Sequence, residues 1–224
     1  EGDDTYCAGV YLLSYGGVTQ TGYANFVDND QDGLRITTYN VPVTLTNIFS
    51  ADNGNDGVEI NGGNSSPLSN ITINGTNIFN NNGRYGMWVY TSGAIILYNT
   101  LGSSAKAIMI KGVNTFQGNG DTGLTVFSRG AITTYSINSI GNAGQAAVID
   151  NCDEGVPGEC QAYYAAIVKG VVTKTFGVSM LGTNYINGNA NGLIVDSRGA
   201  IVISNLTSIY STGEGAVLSN NYTN

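Results

Sequence analysis

The sequence lacks histidine altogether and has few charged side chains of either sign. Without histidine, the protein has neither an imidazole base nor an imidazole metal ligand. Lys and Arg number 8 against 16 Asp and Glu, which gives a net charge of −8, so we expect no basic patch for nucleic acid. No apolar run approaches the roughly 18–20 residues of a membrane-spanning helix, so we expect no membrane span.

Proline is also scarce, with 3 residues, whereas glycine is abundant, with 32. Their combined share stays well below the roughly 25–30% that is typical of low-complexity disorder, so a folded chain is expected. Charged residues make up 11% of the chain, less than half of the roughly 25% average of soluble proteins. The surface is therefore expected to be unusually neutral, with Asn, Ser, Thr, Tyr and Gly in place of Lys and Glu.

Internal repeats dominate what the sequence does contain. Segments that begin with glycine and then alternate apolar residues align without gaps from Gly9, Gly33, Gly86, Gly123 and Gly192, and the last two read GLTVFSRGAI and GLIVDSRGAI. Four of these segments follow an aromatic residue by seven positions, at Phe26, Phe79, Phe116 and Tyr185. A second class, small-apolar-x-apolar, lies 24, 21, 23 and 23 residues after members of the first and starts at Gly57, Ala107, Ala146 and Gly215.

These segments indicate short strands and no helix. They alternate with period two over three to five residues, are rich in Val, Ile, Thr and Tyr, and are separated by Asn, Gly and Asp turns. A repeat near 22 residues with about three short strands is one turn of a coil, in which equivalent residues stack about 4.8 Å apart. About ten coils fit in the chain on this spacing. An antiparallel sandwich with a strand every 8–12 residues is the alternative.

The Gly-Leu-x-Val-x-Ser-x-Gly-Ala-Ile segments with Asn-Gly turns resemble the repeats of the pectate-lyase-like superfamily. They are especially similar to repetitive secreted or surface-attached β-helix proteins of filamentous environmental bacteria. The resemblance covers nearly the whole chain and implies an all-β fold, a single right-handed parallel β-helix over residues 1–224. It implies no particular activity, because the same scaffold hosts lyases, hydrolases, adhesins and inert fibres.

Within such a coil, alternate residues should point inward and stack as aliphatic ladders. The predicted inward pairs are Leu34 and Ile36, Val58 and Ile60, Met87 and Val89, Leu124 and Val126, and Leu193 and Val195. Asn47, Asn99 and Asn205 follow the second strand at similar places. They are predicted to form an asparagine ladder that satisfies the backbone of a turn.

The three cysteines suggest an oxidising environment. Cys152 and Cys160 bracket a turn-rich segment that interrupts the repeat, and we expect a disulfide that closes this loop insertion at 152–160. A disulfide implies an extracellular or cell-surface location. A reduced pair or a metal site is the alternative, although no further Cys or His completes a zinc site. Cys7 is then left over, either for a bond between molecules or as a buried bystander.

Nine of the 16 acidic residues lie in the first 60 positions, against one base, Arg35. The stretch from residue 28 to 33 reads DNDQDG, the start of an oxygen-rich Ca²⁺ loop, and DNGNDG from residue 52 repeats it in weaker form. The twelfth position of the first loop is Tyr39, so the bidentate Glu of an EF-hand is missing. The predicted calcium ligands are Asp28, Asp30, Asp32, Asp52 and Asp56. The alternative is that Asp only replaces Asn as a turn former.

The same spacing places Tyr11, Arg35 and Glu59 in register on neighbouring strands. Such a row would combine a cation–π contact with an ion pair, each worth about 0.5–1 kcal/mol at an exposed site. This row requires no function to explain it.

We expect a structural, extracellular unit that is not an enzyme and associates head to tail. Neither terminus shows an amphipathic helix or a polar capping coil, so we expect the ends to be covered by more chain or by another copy. A glycan-binding module is the second hypothesis, with outward tyrosines as flat surfaces for sugar rings, at Tyr11, Tyr15, Tyr39, Tyr90 and Tyr98. A Ca²⁺-dependent polysaccharide lyase or hydrolase, with the acidic residues near Arg35 at its centre, is the third.

Overall fold

The computed structural model of the chain describes residues 8–39, 41–62, 70–91, 108–110, 112–128, 130–151, 177–197 and 199–220. These residues form 22 β-strands and contain no helix. The expected all-β fold is therefore confirmed. Cys7, Cys152 and Cys160 lie outside the described residues, so the disulfide, the loop insertion at 152–160 and the role of Cys7 stay predictions.

The strands form three sheets, which we call A, B and C. Sheet A contains β1 (Val10–Ser14), β4 (Leu34–Thr38), β7 (Val58–Asn61), β10 (Met87–Thr91), β13 (Leu124–Ser128), β16 (Gln145–Asp150), β19 (Asn191–Asp196) and β22 (Ala216–Ser219). Sheet B contains β2 (Val18–Thr19), β5 (Val43–Thr46), β8 (Ile71–Asn74), β11 (Ile108–Ile110), β14 (Ile132–Tyr135), β17 (Val178–Leu181) and β20 (Ile201–Ile203). Sheet C contains β3 (Ala24–Val27), β6 (Ile48–Ala51), β9 (Thr76–Asn80), β12 (Val113–Gln117), β15 (Ile137–Ile140), β18 (Asn184–Asn187) and β21 (Leu206–Ile209).

Successive strands enter sheets A, B and C in rotation, and each strand pairs in parallel with the strands three before and three after it. Three strands therefore make one coil, as the parallel β-helix expectation requires. The antiparallel sandwich alternative is wrong, because neighbouring strands in all three sheets run in the same direction. Sheet A has eight strands, so the described residues form eight coils where the spacing suggested about ten.

The structure has eight coils and not about ten because the coils are not equal in length. The predicted spacing from Gly33 to Gly57 and from Gly123 to Ala146 is confirmed, because Leu34 pairs with Val58, and Leu124 with Ala147. The predicted equivalence of Gly86 and Ala107 is wrong. Met87, which follows Gly86, pairs with Leu124, and the strand after Ala107, β11, belongs to sheet B. A short apolar pattern is the same in every sheet, so it does not reveal which sheet a strand joins.

The inward faces of all three sheets supply one hydrophobic core. The five predicted inward pairs of sheet A are buried, with exposures of 0–2%, which confirms the predicted ladders. Phe79 and Phe116 of sheet C also lie inside, with ring centroids 5.0 Å apart. Tyr185 differs from these aromatics because Ile186 takes the inward position on its strand. A shift of one residue turns a strand side chain to the other face.

The corner between sheets C and A is built by two adjacent positions on each coil. The first position has a left-handed backbone, with φ between 52° and 65°, in Asp28, Asp52, Asn81, Gly118, Gly141, Gly188 and Tyr210. The second position carries the asparagine ladder, Asn29, Asn53, Asn82, Asn119, Asn142 and Asn189. Each side-chain amide donates to the Oδ1 of the next asparagine at 2.7–3.0 Å. This ladder satisfies polar groups that the corner buries.

The asparagines that were predicted to stack lie elsewhere. Asn47 and Asn205 occupy the corner between sheets B and C, where both have a positive φ. The Oδ1 of Asn47 accepts from the backbone N–H of Thr76 at 3.0 Å, and the amide of Asn205 donates to the Gly182 carbonyl at 3.2 Å. Glycine or serine occupies this corner in the coils between them. These two residues therefore satisfy turn backbone, as predicted, but they form no continuous ladder with each other, and Asn99 lies outside the described residues.

Candidate functional site

The outer face of sheet A carries some of the sequence-predicted site residues, among them Tyr11 and Tyr90. It comprises two rows of side chains in strand register. The first row runs through Tyr11, Arg35, Glu59, Trp88, Thr125, Val148, Ile194 and Val217. The second row runs through Leu13, Thr37, Asn61, Tyr90, Phe127, Asp150, Asp196 and Ser219. The predicted register of Tyr11, Arg35 and Glu59 is confirmed.

An acidic cluster, which we define as Asp32, Asp56 and Glu59, lies at one end of this face. Its carboxylate oxygens lie within 4.8 Å of one another. The guanidinium of Arg35 contacts Glu59 at 3.3 Å and Asp32 at 3.7 Å. Asp32 Oδ1 also accepts from the side-chain amide of Asn55 at 2.7 Å and from the backbone N–H of Asp56 at 3.0 Å. The protein itself therefore supplies partners for these buried charges.

Burial changes the protonation of the acidic cluster. Burial raises the pKa of Asp56 to about 7, and the nearby Asp32 carboxylate adds to this rise. The backbone N–H of Tyr85 opposes the rise by donating to Asp56 Oδ1 at 3.2 Å. Burial also raises the pKa of Glu59, which the positive charge of Arg35 opposes. The cluster therefore holds a proton more readily than exposed carboxylates would.

The five predicted calcium ligands do not meet at one point. Asp32 and Asp56 converge, together with Glu59. Asp28 and Asp52 occupy the left-handed corner position, which Asp and Asn tolerate better than most residues, and both are exposed, as is Asp30. Arg35 already brings a positive charge to the acidic cluster. The calcium site stays a prediction, and the acidic cluster is the group of oxygens that the fold offers for it.

A groove lies farther along the same face. It has a volume of about 540 Å³, and its described lining comprises Asn61, Tyr85, Trp88, Tyr90, Asp121, Thr122, Thr125, Phe127, Gln145, Val148 and Ile194. These residues come from five consecutive coils, from β7 to β19. Because adjacent coils lie about 4.8 Å apart, the groove is about 19 Å long and runs along the coil axis, across the strands.

The two sides of the groove differ in chemistry. Trp88, Tyr90 and Phe127 lie along the strands of one side, and the Trp88 and Tyr90 rings stack 5.8 Å apart. Asp121 and Gln145 lie at the strand starts, on the other side. The strands therefore offer flat rings together with Asn61 and Thr125. The strand starts offer carboxylate, amide and hydroxyl groups together with the Tyr85 ring, and Thr122 Oγ1 donates to Gln145 Oε1 at 2.6 Å there.

Arg84 and Tyr85 connect the groove to the acidic cluster. The guanidinium of Arg84 lies 4.4 Å from the centre of the Tyr85 ring and donates to its hydroxyl at 3.3 Å. Arg84 also interacts electrostatically with Asp56 and Asp121. A cation stacked on a ring in this way orients the ring, so Tyr85 is held at the edge of the groove.

The tyrosines that were predicted to point outward lie in different places. Tyr90 lines the groove. Tyr15 and Tyr39 stack on each other with centroids 4.7 Å apart, and Tyr15 is 74% exposed. Tyr11 lies on the first row beside Arg35. Tyr98 lies outside the described residues. The outward orientation is therefore confirmed for four of the five, but only Tyr90 reaches the groove.

Sequence reasoning missed most of the groove, including Trp88, Phe127 and Asp121. A signal was present, because GMWVY and GLTVF place an aromatic residue at an outward position of each strand. The predicted outward aromatic residues were tyrosines only, so Trp88 and Phe127 were not among them. Asp150 and Asp196 were also missed. They are neighbours in the second row, with exposures of 2% and 7%, so this carboxylate pair is buried rather than open to a polymer.

Comparison with protein-family models, with curated proteins and with solved structures gave no match to this chain. The resemblance to the pectate-lyase-like superfamily therefore stays a prediction from the repeat pattern. Within the described ranges, no helix has the length and hydrophobicity needed to cross a membrane. The candidate site is accordingly interpreted from its own geometry.

Proposed function

We propose that this protein is an extracellular or cell-surface β-helix that binds a linear glycan along the outer face of sheet A. The groove, which combines aromatic rings with carboxylate, amide and hydroxyl groups, is the observation that carries the proposal. A pyranose ring has an apolar face of C–H groups and an edge of hydroxyl groups. A bound sugar can therefore stack on Trp88 or Tyr90 while its hydroxyls reach Asp121 and Gln145.

The direction of the groove favours a polymer over a single sugar. The groove crosses five coils and is about 19 Å long, which exceeds the size of a monosaccharide. An extended chain that lies along the coil axis would contact lining residues of successive coils, and each further sugar would reach the residues of one more coil. Affinity should therefore rise with oligosaccharide length until the groove is filled, at about four sugar residues.

The proposal is tested by calorimetric titration of oligosaccharides of increasing length into the wild-type protein and into Trp88→Ala. Trp88 is an aromatic anchor, so its removal should weaken binding about tenfold or more. Tyr23→Ala is the matched control, because Tyr23 is 69% exposed and does not belong to the described lining of the groove. Absence of glycan binding by the wild-type protein, or equal affinity of Trp88→Ala, would contradict the proposal.

A second candidate function is head-to-tail association, and the end coils support it. Val10 and Leu12 of β1 are each 38% exposed, and Leu218 of β22 is 50% exposed. Their partners in the adjacent coils, Leu34 and Val195 among them, are buried. A second copy that stacks on such an end would bury inward-type side chains and pair the edge strand.

Sedimentation velocity over a range of concentrations tests this second candidate. We expect oligomers in the wild-type protein and their loss in Leu218→Glu, which places a charge on the end. Val113→Glu is the control, because Val113 is 50% exposed on β12, the central strand of sheet C, away from the end coils. A monomer at all concentrations would rule out self-association.

A further inference from the structure

The described charges around the groove are mainly negative. Asp121 belongs to its lining, and no described lining residue is Lys or Arg. Glu59, of the acidic cluster, is the register neighbour of Trp88 at one end. Arg84 is the nearest described cation, and it is shared among Tyr85, Asp56 and Asp121. The Asp121 carboxylate itself would repel an anionic group of a bound glycan.

Aromatic rings and a carboxylate together are the groups that recognise an ammonium ion. The faces of Trp and Tyr rings attract cations through their quadrupoles. An ionised carboxylate forms charge-assisted hydrogen bonds with an ammonium group, which are stronger than bonds between neutral groups. The groove combines both, with Trp88, Tyr90 and Phe127 on one side and Asp121 on the other. Asp121 Oδ1 lies 3.3 Å from the Thr122 hydroxyl, whose single proton goes to Gln145 Oε1 at 2.6 Å, so the carboxylate keeps acceptor capacity for a ligand.

We propose that the groove selects a linear glycan with free amino groups, and that Asp121 pairs with an ammonium group of the bound chain. This inference rests on the proposed glycan-binding function. It names the class of glycan: an amino sugar polymer in preference to its N-acetylated counterpart or to a polyuronate. Sugar rings would stack on the aromatic side while an amino group on the edge of one ring reaches Asp121.

The test compares three hexasaccharides by calorimetric titration at low salt: β-1,4-linked glucosamine, β-1,4-linked N-acetylglucosamine and α-1,4-linked galacturonic acid. The proteins are the wild type, Asp121→Asn and Asp30→Asn. The asparagine keeps the size of the side chain and one carbonyl-type acceptor, and it removes the charge. Asp30 is the matched control, because it is an exposed carboxylate at the same corner, three coils and about 14 Å farther along the axis.

We expect the glucosamine hexamer to bind the wild-type protein about tenfold more tightly than the other two, since one charge-assisted contact distinguishes them. Asp121→Asn should remove this preference, whereas Asp30→Asn should keep it. Raised salt should reduce the preference. Equal binding of the glucosamine and N-acetylglucosamine hexamers, or tighter binding of the galacturonate, would overturn the amino-sugar inference and leave glycan binding standing. An unchanged preference in Asp121→Asn would overturn the role of Asp121.

Discussion

Aromatic residues have opposite environments on the inner and outer sides of the coils. Phe79 and Phe116 stack inside with no exposed surface. Trp88 and Tyr90 stack outside, along the groove. The inner rings fill the space between a coil and the next one, whereas the outer rings leave a groove beside them. The contrast indicates that the inner pair stabilises the fold and that the outer pair is available to a ligand.

Polar groups show the same contrast. In the asparagine ladder each amide up to that of Asn142 donates to the next asparagine, and the members from Asn53 to Asn189 are buried and hydrogen-bonded. On the outer face, Asp121 and Gln145 remain partly exposed at the groove edge. A buried polar group without a partner destabilises a fold, whereas an exposed one can exchange water for a ligand. Substitutions on the inner side should therefore lower stability, and substitutions on the outer face should lower binding, which tests the comparison of the two sides.

The largest expected effect on stability is that of Phe116→Ala. Removal of this fully buried ring should lower the free energy of unfolding by about 3–5 kcal/mol, because the cavity cannot close completely. Phe127→Ala on the outer face should cost clearly less, since Phe127 is partly exposed in the folded protein, but it should weaken glycan binding. Urea denaturation and calorimetric titration measure the two effects. Equal losses of stability in Phe116→Ala and Phe127→Ala would show that the inner and outer rings do not differ in their contribution to folding.

Asn119→Ala should have the next largest effect. It removes the Oδ1 that accepts from both the backbone N–H and the side-chain amide of Asn82, and it removes the amide that donates to Asn142. We expect a loss of about 2–3 kcal/mol in the free energy of unfolding. Asn25→Ala is the control, because Asn25 is exposed, and it should change stability by less than about 0.5 kcal/mol. Similar urea midpoints for both variants would show that the ladder contributes little.

The smallest effect concerns the acidic cluster and depends on pH. The pKa of Asp56 is raised from 3.8 to about 7 in the folded protein, so between these pH values the folded state binds more protons than the unfolded state. The stability contribution of Asp56 is therefore present at low pH and is lost as pH rises toward 7. Asp56→Asn should flatten this dependence and stabilise the protein above pH 7 by about 1–3 kcal/mol.

Thermal unfolding from pH 4 to pH 8 measures this effect. Asp52→Asn is the control, because Asp52 is exposed at the same corner and asparagine also tolerates its left-handed backbone. The Glu59 pKa is raised in the same direction, so the wild-type slope should not vanish entirely in Asp56→Asn. A wild-type stability that rises between pH 4 and 7 would show that the acidic cluster is held ionised, for example by a bound cation.

Much of the coil architecture could be predicted because it follows from short stretches of the sequence. The alternation in Leu34 and Ile36 fixes which side chains face inward, since neighbours on a strand point to opposite faces. The asparagine ladder was missed although asparagine recurs four residues before the coil start at Asn53, Asn82 and Asn119. The chain is rich in asparagine, and sequence alone did not reveal which asparagines are stacked.

The sequence by itself determined the strand type, the inward ladders and the low content of charged side chains of this protein, because each follows from a period of two residues or from composition. Only the tertiary structure decided that Trp88, Phe127 and Gln145 meet in one groove. The chain between equivalent positions varies in length, from Gly33 to Gly57 and then from Gly86 to Gly123. Which residues of different coils become neighbours depends on the lengths of all the segments between them, and no short sequence pattern specifies those lengths.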